Sequence, residues 1–188
     1  QIVITGYGLL VSRDENVIIH NVTVQDVKKD AISIYDSQQV WVDHVTVQRA
    51  KDGALDITEA SKNVTVSYTK LTNQDKTMVI GGKKDPADKA IRVTLHHNYY
   101  YNNKQRNPLI LYATVHMYNN LFRNYGNTSG GYAIAATTSS RLRSENNIFD
   151  PHRVHDAMRT INPGYQDIPG YIWESGSLAL NGAKVFST

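Results

Sequence analysis

The chain has 188 residues, 40% of them hydrophobic, and a net charge of +3, which allows one domain with a packed core and biases the surface mildly toward anionic partners. With no cysteine it cannot be a disulfide scaffold, a thiolate zinc protein or a cysteine-nucleophile enzyme. No apolar run approaches the ~18 residues of a membrane span, no signal peptide is visible, and a chain that opens on Gln1 reads as a mature or trimmed product.

One pattern recurs along the chain. It reads Val17–Val24, Val40–Val47, Val64–Leu71, Val93–Tyr100 and Val115–Phe122, with a weaker copy at Leu142–Phe149. Each unit is a short strand rich in β-branched residues, a polar corner, and a second short strand. Its apolar positions alternate, so one face is buried. The corner residues 21, 44, 68, 97, 119 and 146 lie 23, 24, 29, 22 and 27 residues apart. A two-residue polar corner is too short to reverse the chain into a hairpin in this register. Steps of that length carry the chain once around to return one strand spacing, ~4.8 Å, further along. The sequence therefore predicts an all-β, right-handed parallel β-helix, a solenoid of roughly eight coils with an Asn-rich corner ladder. Asn suits such corners because it tolerates the left-handed conformation. Insertions fall on one edge, at Lys83–Lys89 and Tyr101–Asn107. Residues 1–150 carry the coils of a single domain spanning 1–188. Residues 151–188 are expected to be a loop-rich segment packed on the helix, with a turn at Asn162-Pro163-Gly164.

Three aspartates, Asp43, Asp52 and Asp56, precede Lys76 and Arg106. Residues about one repeat apart stack in a solenoid, so these side chains can converge although they are distant in sequence. Carboxylates without cysteine make a hard oxygen site that suits Ca²⁺. Asp52-Gly53 is equally a common turn dipeptide. His44, His96 and His97 fall at corners, where stacking or hydrogen bonding is the ordinary role. Lys83-Lys84 reads as a solvated loop, and Tyr99-Tyr100-Tyr101 as alternating core and surface. The sequons at Asn21 and Asn63 lie in repeat segments and read as structural, and a third lies at Asn127.

The order and spacing of several short segments resemble the pectate lyase family, calcium-dependent polysaccharide lyases. The resemblance runs from Gln1 to Asp150. It includes Gly6-Tyr7-Gly8-Leu9, Val40-Trp41-Val42-Asp43-His44, Asp52-Gly53-Ala54-Leu55-Asp56, Asp75-Lys76 with Ile80-Gly81, Gln105-Arg106-Asn107-Pro108 and Val115-His116-Met117-Tyr118-Asn119-Asn120. It implies that Asp43, Asp52 and Asp56 hold Ca²⁺. It also implies that Lys76 meets a substrate carboxylate, assisted by His44 and Lys104, and that Arg106 removes the C5 proton of a galacturonate. The reaction would be β-elimination on α-1,4-polygalacturonate, leaving 4,5-unsaturated ends. The enolate-like charge that builds up suits neutralisation by a metal and a lysine. The expected partner is polygalacturonate or pectin, with no nucleic acid or membrane, for a secreted monomer. The N-terminal region and cap usual in the family are expected to be absent.

One departure stands out. The family pattern Arg-x-Pro-x-x-Arg reads Arg106-Asn107-Pro108-Leu109-Ile110-Leu111 here. Leu111 replaces a carboxylate-binding arginine, so weaker binding or a preference for partly methyl-esterified polymer is expected, unless Lys104 or Arg123 substitutes. Alternatives are pectin lyase, which would not be expected to keep the three aspartates, and a sugar-binding β-helix that has lost activity. A β-helix polygalacturonase would need paired catalytic aspartates and its Gly-His-Gly signature, which is missing.

Overall fold

The computed structural model describes residues 2–82, 86–126, 132–152, 158–160 and 169–185. Strands follow one another in threes. The first coil is β1 (Ile2–Gly6), β2 (Leu9–Ser12) and β3 (Glu15–His20), and the second is β4 (Val22–Val27), β5 (Ile32–Tyr35) and β6 (Gln38–Asp43). The third is β7 (Thr46–Gln48), β8 (Leu55–Thr58) and β9 (Lys62–Ser67), and the fourth is β10 (Lys70–Thr72), β11 (Val79–Ile80) and β12 (Arg92–His96). The fifth is β13 (Tyr99–Tyr101), β14 (Leu109–Leu111) and β15 (Thr114–Tyr118), and the sixth is β16 (Leu121–Tyr125), β17 (Ile134–Thr137) and β18 (Arg141–Glu145). Then come β19 (Ile148–Pro151), β20 (Met158–Thr160) and β21 (Tyr171–Ser175), and finally β22 (Leu178–Ala179).

Every strand lies beside the strand three places on. This gives an 8-stranded first sheet from β1 to β22, a 7-stranded second sheet from β2 to β20 and a 7-stranded third sheet from β3 to β21. All these pairings are parallel. The architecture is a parallel β-helix, as the repeat predicts, with somewhat fewer complete coils than the roughly eight expected. The coils continue past Asp150, where the sequence suggests a loop-rich segment. β21 pairs in register with β18, Leu142 opposite Ile172. Its single inward Ile172 and polar neighbours weaken the alternation that marks the earlier coils. The Asn162-Pro163-Gly164 turn, Lys83-Lys84 and the Asn127 sequon lie outside the described residues.

The alternating apolar positions form rows along the axis. In the third sheet Val17, Val40, Val64, Val93, Val115 and Leu142 stand above one another. In the first, Val24, Val47, Leu71, Tyr100, Phe122 and Phe149 do so. Phe122 stacks on Tyr100 at 4.5 Å and on Phe149 at 4.8 Å between ring centroids. Tyr100 is buried while Tyr101 reaches solvent, the alternation expected of the tyrosine triplet. Identical neighbours at one strand spacing make continuous contact, which is how a thin coil builds a core.

The corners between the third and first sheets are left-handed. Asn21, His44, Tyr68, His97, Asn119 and Asn146 have φ of 56°, 50°, 47°, 55°, 55° and 52°. These are the six corner residues of the sequence repeat. For residues other than glycine this conformation costs roughly 1–2 kcal/mol each. The residue that follows offsets it. The side-chain carbonyl of Asn98 accepts from the Thr69 amide at 3.0 Å, that of Asn120 from the Asn98 amide at 3.0 Å, and that of Asn147 from the Asn120 amide at 2.9 Å. The ladder is thus carried by buried Asn98, Asn120 and Asn147, one position beyond the corner. The corner side chains face outward instead, and His44, Tyr68 and His97 form a ring stack at 5.0 and 4.9 Å.

Candidate active site

The connections from the first sheet to the second bring titratable side chains of successive coils together. Asp30 precedes β5, Asp52 precedes β8, Asp56 stands on β8, Lys76 precedes β11 and Arg106 precedes β14. Backbone bonds between coils fix the stacking. Ala54 donates to Thr77 at 2.8 Å, Thr77 to Gln105 at 3.2 Å, and Met78 to Arg106 at 2.8 Å. Lys76 and Gln105 form a parallel bridge. Arg106 is half-buried at φ 60°, just before the cis Asn107–Pro108 bond.

The carboxylates are held individually. The Gly53 amide donates to Asp30 Oδ1 at 2.8 Å and the Val79 amide to Asp56 Oδ1 at 2.9 Å. Lys76 Nζ donates to Asp52 Oδ1 at 2.9 Å. A Cβ on Gly53 would stand 2.7 Å from Asp56 Oδ1, so only glycine lets that carboxylate lie against the turn. Burial pushes the Asp56 carboxyl up to about 7. Its bond from Val79 opposes this, the nearby charges of Asp30 and Asp52 add to it, and Arg106 pulls it back. Three acids and two cations therefore share one electrostatic neighbourhood. Among the described residues, no three carboxylates or imidazoles already cage an ion. The donor set is nonetheless all oxygen, and the acids repel one another, which is the condition a hard cation relieves.

Asp52, Asp56, Lys76 and Arg106 thus come together as their spacing predicts. Asp43 does not join them, which corrects the ligand set implied by the resemblance. It ends β6 in the third sheet, at another corner of the coil. Its carboxylate is taken up by Ser67 and by His44 Nδ1 at 2.6 Å. Burial tends to raise it, but these two bonds hold it below the usual carboxylate range. His44 lies at that same corner, stacked on Tyr68, away from Lys76 and Arg106. Lys104 stands nearer, one coil on from Asp75, which it faces at 3.5 Å. Asp30 is the acid that sequence reading missed. The signal was available: Asp30-Ala31-Ile32-Ser33 sits one coil before Gly53-Ala54-Leu55-Asp56, and Ser33 pairs with Asp56.

Further along the second sheet the outward row turns apolar. Asp56 is followed by Val79, Leu109 and Ala135. Leu111 is 2% exposed and packs with Leu109, Tyr112, Tyr132 and Ala135. Neither of the two candidate cations replaces the family arginine: Arg123 pairs with Asp150 at 3.4 Å on the first sheet, and Lys104 faces Asp75. An arginine introduced at position 111 would be buried among apolar groups, so that exchange reports on folding before it reports on binding.

The structure is thus a parallel β-helix with an acid–lysine–arginine group on one edge. The model of the pectate lyase family matches residues 3–163. A pectate trisaccharide-lyase of Thermotoga maritima is 37% identical over 134 residues, which are 63% of this chain and 36% of that protein. A probable pectate lyase A of Aspergillus fumigatus is 33% identical over 163 residues, 78% of this chain and 51% of that one. The crystal structure of pectate lyase Bsp165PelA from Bacillus sp. N165, in complex with trigalacturonate, superposes with a TM-score of 0.85 at 29% identity, covering 98% of this chain and 63% of that chain. The chain belongs to the pectate lyase family, and it spans only about a third to a half of the length of these two curated relatives.

Proposed function

We propose that this chain carries the catalytic edge of a pectate lyase, cleaving α-1,4-polygalacturonate by β-elimination. The observation that carries the reading is the gathering of Asp30, Asp52 and Asp56 with Lys76 and Arg106 on one edge of the second sheet. The Thermotoga relative and the trigalacturonate-bound Bacillus enzyme support the same substrate class.

Asp30, Asp52 and Asp56 would hold Ca²⁺, whose oxygen preference they match. When bound, the ion would neutralise a galacturonate carboxylate and make the adjacent C5 proton more acidic. Lys76 exchanges its bond to Asp52 for the substrate carboxylate. Arg106 lies one coil further on and takes the proton at C5 as base. The C5–H electrons form the C4=C5 double bond, the C4–O bond breaks, and the departing oxygen is protonated by water. Guanidinium is normally fully protonated, so activity rises toward alkaline pH. A soluble polymer too large to enter a cell places the activity outside it. All the site residues come from one chain, so a monomer suffices.

A second reading, pectin lyase acting on methyl esters, is favoured by one feature, the apolar row of Val79, Leu109 and Ala135 beside Asp56. One assay separates the two. Polygalacturonate and highly methylated pectin are each incubated with calcium or EDTA, and the ultraviolet absorbance of the unsaturated product is followed. Calcium-dependent product from polygalacturonate is expected, and Arg106→Lys lowers its rate at least ~100-fold at pH 8. Product that survives EDTA supports the second reading. New reducing ends without absorbance contradict the elimination, and full activity of Arg106→Lys contradicts Arg106 as the base.

A further inference from the structure

The outer face of the third sheet, away from the site, carries its own pattern. The strands β12, β15, β18 and β21 place Arg92, Thr114, Arg141 and Tyr171 in one row and Thr94, His116, Arg143 and Trp173 in the next. On β18 the two arginines alternate outward. On β21 the two aromatic rings do the same, each directly opposite its arginine. The Arg143 guanidinium lies 4.9 Å from the Trp173 ring centroid. Arg92 is fixed by its own chain, donating to the carbonyls of Lys89 at 2.6 Å and Ile91 at 2.9 Å. Lys89 joins Arg92, Arg141 and Tyr171 around a cleft of about 420 Å³, and among the described residues no acid lines it.

The charge on this face is one-sided. Among the outward residues of these four strands the one acid is Glu145, and Arg143 and His116 occupy it at 2.9 and 2.6 Å. Arg141 makes no ion pair or side-chain hydrogen bond among the described residues. Tyr171 and Trp173 are 57% and 49% exposed, large rings left in water without an apolar patch around them.

We infer that this face is a second, non-catalytic binding surface for an acidic polysaccharide, holding carboxylates on Arg92 and Arg141 and sugar faces on Tyr171 and Trp173. The inference rests on the reading of the chain as one that meets polygalacturonate. Arginine matches a carboxylate with paired N–H donors, and exposed rings offer flat apolar platforms with polar edges. The row from Arg92 to Tyr171 spans three strand spacings, about 14 Å, which suits a run of linked sugars rather than one. Thr114 stands between Arg92 and Arg141, and Thr94 beside it on β12, and both offer hydroxyls to a hydroxyl-rich ligand. Nucleic acid is a poorer match, because the net charge of +3 is small.

Affinity electrophoresis of the full chain in EDTA tests this without any turnover. Gels contain polygalacturonate, highly methylated pectin or single-stranded DNA. Retardation is expected in polygalacturonate, little of it in methylated pectin, and it should weaken as salt is raised. The double variant Arg141→Ser/Tyr171→Ser should bind polygalacturonate about tenfold more weakly, the effect of losing one charge-assisted contact. Both positions are exposed, so its melting temperature should match the parent's. Arg141→Lys, which keeps the charge, should lose less. Unchanged retardation of the double variant, or no retardation of the parent, overturns the inference. Retardation by DNA as strong as by polygalacturonate also overturns it, in favour of a general polyanion face. The proposed lyase activity is judged separately, by unsaturated product. A chain that makes no product yet loses retardation in the double variant keeps this surface and refutes the reaction.

Discussion

Asp56 is a residue under conflicting demands. It is desolvated beside two other carboxylates, yet a metal ligand must be ionised. Its folded value of about 7 lies above the usual carboxylate value of 3.8, so between those pH values the folded chain holds the proton more tightly than the unfolded chain. Stability of the metal-free chain therefore falls as pH rises through that window and levels above about 7. Asp56→Asn keeps an acceptor for the Val79 amide and removes the charge. At pH 8 it should melt higher than the parent without calcium, and at pH 4 the two should coincide. The same proton competes with calcium. Calorimetric affinity of the parent should rise by up to tenfold per pH unit toward 7 and then level, whereas an affinity independent of pH between 5 and 7 would contradict the assignment. The cost at this position is that of a site kept for function at the expense of stability.

At the scale of elements, the corners decide how the strands are strung together. The sequence repeat located six of them, because left-handed φ and outward polar side chains leave a clear mark at Asn21, His44, Tyr68, His97, Asn119 and Asn146. It did not reveal which amide ladder supports them, since Asn119 and Asn120 look alike as letters. Asn120 is the buried one. It accepts from the Asn98 amide and donates to the Leu95 carbonyl at 2.9 Å. Asn120→Leu fits the space approximately but strands these partners in the interior, each at roughly 1–3 kcal/mol. For a chain of this size that lowers the melting temperature by at least several degrees. Asn119→Ser, which faces water, should change it little. Equal losses in the two variants would show that the corner conformation, not the buried ladder, holds the coils together.

Across the whole molecule, the solenoid was legible because its period is long and its core rows repeat. The coil that continues past Asp150 through β20 and β21 was not, because on β21 Ile172 alone is an inward apolar residue. Four of the five gathered residues followed from the same period: Asp52, Asp56, Lys76 and Arg106 stack as their spacing requires. Asp43 did not, because it ends a strand of the third sheet, whereas the gathered side chains precede or lie on strands of the second. Asp30 was hidden by its ordinary setting in Lys28-Lys29-Asp30 and emerges only when the second coil is laid on the third. The choice between these two aspartates is therefore the sharpest test of the site. Calcium binding and unsaturated-product formation are measured for Asp30→Asn and Asp43→Asn side by side at pH 8. The site described here predicts that Asp30→Asn weakens calcium binding at least about tenfold, the loss of one charged contact, and lowers the rate with it, while Asp43→Asn keeps both near the parent's values. The reverse pattern, with Asp43→Asn losing calcium and Asp30→Asn retaining it, would contradict it.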